Sequence, residues 1–217
     1  MPLDISRYRL IDLSKKIQPG VLALDGTYLH GSENRRLEAR QFLYRPDGMV
    51  MHWVDTETHI GTHVEGPTHH PKGRTDLASM PLDTFIGEAA VLRFDDLAPI
   101  DGRPRPIEPS MLQAVRKNDI VLMWSPFDEE SCPYISPESA RYLAGLPVKM
   151  VGIQGVGLEA PGSLESHEQF LLKGIPIIEG LTNIEQVKKD RVFYIGLPIR
   201  IAALDSSWVR AVVLEEK

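Results

Sequence analysis

Cysteine is almost missing from this chain: Cys132 is the only one in 217 residues. That excludes an internal disulfide and any thiolate metal cluster built within one chain. Cys132 lies in Asp-Glu-Glu-Ser-Cys-Pro, where neighbouring acids raise a thiol pKa, so it reads as an unreactive loop thiol. Long apolar runs are also lacking. Nothing approaches the roughly eighteen consecutive apolar residues of a membrane span, and the opening MPLDISRYRLIDLSKK has no apolar centre of the kind a signal peptide needs. Beyond pairs such as Lys15-Lys16, Arg35-Arg36 and Lys188-Lys189 there is no cationic run, and 24 basic against 30 acidic residues leave a net charge of −6. This balance argues against nucleic acid and anionic membrane as partners. The expectation is a cytoplasmic protein acting on a small molecule.

Histidine is present where it counts. Four of the seven histidines fall within twelve residues, in His59-Ile-Gly-Thr-His63-Val-Glu65-Gly-Pro-Thr-His69-His70. With no thiolate to use, a metal here is held by nitrogen and oxygen, and imidazole with a nearby carboxylate is a suitable donor set. His59 and His63 would share a face of a helix; on a straight strand their Cα atoms would lie roughly 13 Å apart, too far for one ion. Gly61, free to take positive φ, is expected to bend the backbone between them. Glu65 would point to the same side as His63, and Gly66-Pro67 would turn the chain back so that His69 or His70 reaches the site. Spacing parity favours His69. Two histidines and a carboxylate leave coordination positions open, the arrangement of a catalytic rather than a structural ion. His30 and His52, isolated from the cluster, read as surface or packing residues.

The hydrophobic fraction of 42% supplies a sizeable core. Residues 20–50, with Gly20, Gly26, Gly31, Pro46 and Gly48, read as turns in an open connection. Further on, apolar runs predict strands at 89–94, 119–124, 148–153, 175–178, 192–197 and 209–214. Between them, helices are predicted over 108–117, 136–146, 163–173 and 182–189. Alternating strand and helix implies an α/β layered fold, and no repeat or linker divides it, so 1–217 is expected to be one domain. On the third helix His167 falls at i+3 from Leu164, with Leu171 at i+7, on an apolar stripe where it needs a partner. Glu179 ends the buried run Ile175-Pro-Ile-Ile, where an acid must meet a cation, be protonated or swing into a turn. Trp53, Trp124, Phe127 and Tyr28 are candidates for a pocket lining or for the core.

The histidine cluster resembles the H-x-G-T-H-x-D-x-P-x-H signature of the cyclase family that includes bacterial kynurenine formamidase and isatin hydrolase. VGIQGVGLEAPGSLESHEQFLLKGIPIIEGLTNIEQV is similar to that family's second conserved stretch, Ile11-Asp12-Leu13-Ser14 to its opening, and the segments at 193–200 and 209–212 to its closing strands. The resemblance implies a swivelling β/β/α-type domain with a mixed sheet and flanking helices. It implies one or two Zn2+ or Mn2+ ions bound by His59, His63, Glu65, His167 and Glu179, with His69 as general acid/base. It further implies a homo-oligomer, dimer or tetramer, and hydrolysis of a C–N bond in an amide, formamide or lactam. Three departures stand out: Glu65 replaces the family's aspartate, Gln154 replaces another, and the Pro-Gly-Asp loop of kynurenine formamidases is missing. Two alternatives use the same residues: a lyase or cyclase that abstracts a carbon-bound proton, and a metal-binding sensor without chemistry.

Overall fold

The computed structural model describes residues 4–217; residues 1–3 of the expected domain and of the opening stretch lie outside it. Four apolar runs, Ile86–Arg93, Ile120–Trp124, Met150–Gln154 and Ile177–Glu179, lie side by side as parallel strands. They are apolar at successive positions because both of their faces are covered. Ala90, Leu92, Val121, Met123, Val151 and Ile177 point into one core, whereas Ala89, Val91, Ile120, Leu122, Met150 and Ile178 point into another.

Antiparallel strands extend the sheet on both sides. Arg191–Ile195, Val212–Glu216 and Tyr8–Asp12 follow beyond Ile86–Arg93, and His63–Glu65 and Ser206–Trp208 beyond Ile177–Glu179, giving nine strands. The fold is the expected α/β type with a mixed sheet. Both α-helices, α1 (Pro137–Gly145) and α2 (Glu165–Leu171), contribute to the first core. Ser136 caps α1 by accepting the Ser139 amide at 3.1 Å, and Pro137 opens it with the φ a first turn requires. Ala140, Leu143, Ala144, Phe170 and Leu171 are the buried apolar helix residues that fill this core.

Several expectations are corrected. Leu164 is 76% exposed, and α2 instead buries Ser166, Phe170 and Leu171, which leaves His167 on the flank of the helix. The helix expected over 108–117 shrinks to a 3₁₀ turn, Pro109–Leu112, because the Asp119 carboxylate takes the Arg116 amide at 2.7 Å and turns the chain. That expected over 182–189 shrinks to Ile184–Gln186. The amides of Lys188 and Lys189 donate to the Glu215 carboxylate rather than to a preceding turn. Residues 20–50 are not merely turns: Leu37–Tyr44 and Met49–Thr56 pair along eight residues each as a hairpin. Branched and aromatic residues such as Val50, Trp53 and Val54 suit its strands, and the Pro46-Asp47-Gly48 turn closes it with Gly48 at φ +72°. The strand Ser206–Trp208 was also missed.

Two glycines join the ends of the strands that matter for the site. Gly61 (φ +60°) and Gly180 (φ +65°) sit against each other, and a Cβ on Gly180 would lie 2.1 Å from the Gly61 carbonyl oxygen. The Thr62 hydroxyl donates to the Gly180 carbonyl at 2.6 Å and accepts the Lys15 amide at 2.8 Å. Gly180→Ala is therefore expected to cost ~2–3 kcal/mol through strain and displaced backbone. Thermal denaturation should show a Tm roughly 5–10 °C lower; an unchanged Tm would contradict this packing.

Candidate metal centre

His59 to Thr62 run as an irregular bend, turned at Gly61, before the chain enters the strand His63–Glu65. The bend answers the reach problem that a straight strand poses, and brings the His59 and His63 rings to 5.1 Å between centroids. Register then adds a residue from far along the chain. Glu179 pairs directly opposite His63, and directly opposed residues share a face of the sheet. The 3₁₀ turn Pro67–His69 follows Gly66 and folds His69 back over Glu65, while His70 lines the rim of a neighbouring cleft. His167 reaches the same carboxylate from α2.

All six residues singled out in the sequence thus lie together, with Glu65 at the centre and only 3% exposed. Its Oε1 is 2.8 Å from His59 Nδ1, 3.6 Å from His63 Nε2 and 3.8 Å from His69 Nε2; its Oε2 is 3.4 Å from His167 Nε2. Every imidazole has its other nitrogen anchored on an oxygen. His63 Nδ1 meets the Gly61 carbonyl at 3.0 Å, and His167 Nδ1 meets Glu159 Oε1 at 2.8 Å. His59 Nε2 and His69 Nδ1 both meet Asp205 Oδ2, at 2.8 and 3.1 Å. Four rings are therefore oriented from outside so that one nitrogen each turns inward, the arrangement that outer carboxylates and carbonyls impose on histidines that ligate metals.

Among the described residues, two groups of donor atoms are close enough for an ion: His59, Glu65 and His69, and His63, Glu65 and Glu179. His63 Nε2 and Glu65 Oε2 are buried without a hydrogen-bond partner, a costly state that a cation between them would relieve. The donors are nitrogen and oxygen only, which suits zinc or manganese. Burial alone would raise the Glu65 pKa, but the imidazoles of His167, His59 and His63 outweigh it and hold the carboxyl far below the usual carboxylate range. The hydrogen bond with Glu65, opposed by burial and helped by Asp205, pushes His59 up to about 9. Burial opposes protonation of His167, yet Glu159 and Glu65 push it up to about 10. Glu179 is shifted upward, first by burial and then by the charge of Glu65.

Asp205 and Glu159 were not found from sequence. Each is a single acid in an irregular segment, with no spacing to tie it to the histidines. Glu159 has a local role as well, since its carboxylate accepts the first-turn amides of Ser166 and His167 at 3.0 and 2.7 Å. Two clefts meet at the centre. One of about 730 Å³ is lined by Lys15, Arg35, His63, Glu179 and Asp205, and one of about 720 Å³ by Ser163, Leu164, His167 and Leu171; His69 lines both. Trp53, Trp124, Phe127 and Tyr28 line neither. Trp53 is exposed and stacks on Phe42, Trp124 packs against the second core, and Tyr28 meets His30 edge to face. Cys132 is buried, and its thiol pKa is raised by burial first and by Glu129 and Asp128 second.

Residues 11–160 match the family model described as Putative cyclase. The chain belongs to this cyclase family. The matched part includes His59, His63, Glu65, His69 and Glu159, and ends before His167, Glu179 and Asp205. Among curated proteins, the chain is 28% identical to a kynurenine formamidase of Erythrobacter litoralis, over 97% of this chain and 95% of that one. It is 30% identical to a kynurenine formamidase of Paracidovorax citrulli over 71% and 75%. Isatin hydrolase A from Labrenzia aggregata shares the fold at a TM-score of 0.76 and 16% identity, over 98% and 95% of the two chains. A structure described as a potential metal-dependent hydrolase with cyclase activity does so at 0.73 and 19%, over 97% and 99%.

The raised histidines make a prediction for the cation-free protein of this cyclase-family member. A folded-state pKa above the unfolded value gives stability that is complete below about 6.5 and is lost as pH rises through the folded values of about 9 and 10. After chelation, Tm should fall between about pH 7 and pH 10. Saturating zinc or manganese should flatten that fall, because ligation needs the neutral imidazole. Thermal denaturation across this range checks it, and a chelated protein that gains stability towards pH 10 would refute it.

Proposed function

We propose that the chain is a metal-dependent hydrolase that cleaves a C–N bond in a small amide, formamide or lactam. The observation that carries this reading is the ring of four imidazoles, each held from outside by an oxygen and turned inward on one buried carboxylate. Relatives named kynurenine formamidase, and a fold shared with a protein named isatin hydrolase, support the substrate class. His59, His63 and Glu65 would hold a first ion, and His167 with Glu179 would complete the centre. Glu65 is common to both donor groups, which supports placing it at the middle of a centre of one or two ions. A bound divalent cation supplies a water activated near neutral pH and polarises the carbonyl.

The side chains do the rest. His69 lies at the junction of the two clefts with Nε2 facing Glu65, so Nε2 is placed to take a proton from the attacking water and pass it to the leaving nitrogen. Clefts of this size accept a small molecule. The first and last strands pair with one another, Tyr8–Asp12 on Val212–Glu216, which supports reading 1–217 as one domain. No helix among the described residues is long and apolar enough to cross a membrane. A cytoplasmic location is part of the same reading.

The hairpin supports a homo-oligomer. Leu43, Tyr44, Met49, Val50, Met51, Trp53 and Val54 are all exposed on it, and an isolated two-stranded hairpin is marginal in water. A standard interface takes about 800 Å² from each partner, and these exposed side chains are what the hairpin offers towards it. Trp53→Asp should convert the oligomer to a monomer in light scattering; a wild-type monomer would refute the assembly.

The activity is tested by metal analysis and then a panel of amides, formamides and lactams in oxygen-18 water. Hydrolysis must place label in the product, whereas a lyase or cyclase need not. His69→Ala should keep its metal and lose ~10²–10⁴-fold in kcat, while His63→Ala should lose the metal. Full turnover by metal-loaded His69→Ala would overturn its role.

A further inference from the structure

Asp205 is the strongest feature that the proposed chemistry leaves unused. It precedes the edge strand Ser206–Trp208, and both ends of the histidine cluster fasten it. The Thr58 hydroxyl approaches Oδ1 at 3.4 Å, and the Gly66 amide donates to the Asp205 carbonyl at 2.8 Å. Its remaining oxygen, Oδ2, faces His59 Nε2 at 2.8 Å and His69 Nδ1 at 3.1 Å. The two rings are 4.4 Å apart between centroids. One carboxylate oxygen therefore indexes a candidate ligand and the candidate acid/base to the same point.

We infer that Asp205 is a positioning residue that fixes His69 in the tautomer protonated on Nδ1, leaving Nε2 unprotonated and aimed at the centre. This rests on the hydrolase reading for its kinetic consequence, though not for the tautomer. A carboxylate accepts only, so the imidazole nitrogen facing it carries the proton. When Nε2 takes a proton, the imidazolium so formed lies beside a negative oxygen, and when Nε2 gives it up the same neutral tautomer returns. Rotation of the ring about its side-chain bonds would exchange the nitrogens, and Asp205 opposes that exchange. An asparagine at 205 could offer His69 an N–H instead, and the tautomer would no longer be imposed.

The test begins without turnover. In the zinc-loaded protein, nitrogen-15 long-range correlation of the histidine rings should show His69 with Nδ1 protonated and Nε2 unprotonated, the signals identified by their loss in His69→Ala. A predominant Nε2–H tautomer would overturn the assignment whatever the protein hydrolyses. In Asp205→Asn, metal content should be unchanged and KM should move less than about threefold, while kcat falls by about 10–100-fold. In the His69→Ala background the same substitution should change kcat by less than about twofold. An equal loss in both backgrounds, an unchanged kcat, or loss of zinc would each refute positioning through His69, the last by placing the effect on His59. If the wild-type protein hydrolyses none of the panel, the functional reading fails, and the ring spectra alone decide Asp205.

Discussion

A carboxylate withdrawn from water costs several kcal/mol unless charge and hydrogen bonds replace its hydration, and Glu65 is almost completely buried. That cost organises the site. Imidazoles from a bend, a strand, a 3₁₀ turn and a helix converge on its two oxygens, and each is braced from behind. The surrounding imidazoles supply that charge, which is why His59 and His167 are shifted upward and Glu65 downward together. A divalent ion and the protons therefore compete for one set of nitrogens and oxygens, and folding, protonation and metal binding are linked equilibria.

The sheet makes this convergence rigid. Four parallel strands buried on both faces anchor Ile177–Glu179, which in turn fixes His63–Glu65 by register. A slip of one residue in that pairing would send His63 and Glu65 to the opposite face. Gly180 lets its backbone approach that of Gly61 where any side chain would collide, and Gly61 takes the positive φ that the bend requires. The site thus sits near one side of the sheet, on strands anchored in the two cores by Val64, Ile177 and Ile178, with His69 on a short turn between two clefts.

Glu65 stands where the family signature carries a shorter aspartate. The extra methylene carries the carboxylate ~1.5 Å further from the backbone, and in this structure both of its oxygens are within reach of imidazoles on different elements. This one side chain belongs to both candidate donor groups. Asp205 plays a similar double part on the outside, touching two rings with one oxygen.

Local pattern was enough for much of this. The density of imidazoles in His59–His70, with a single cysteine in the chain, announced nitrogen and oxygen ligation, and the apolar runs announced buried strands. Ser136-Pro137 starts a helix, since a capping hydroxyl and a fixed φ are local properties. Where tertiary hydrogen bonds competed, local reading failed: Asp119 and Glu215 captured amides that helices at 108–117 and 182–189 would have used. Periodicity put His167 on an inward stripe, but the packing of Phe170 turned it to the flank, where it could meet Glu65. Asp205 and Glu159 were invisible because nothing short-range distinguishes an acid that braces an imidazole from one in a solvated loop. The residue types and their spacing determined which chemistry was available to this chain; only strand register, the bend at Gly61 and the docking of α2 decided which oxygens and nitrogens would face one another, because those depend on contacts between residues far apart along the chain.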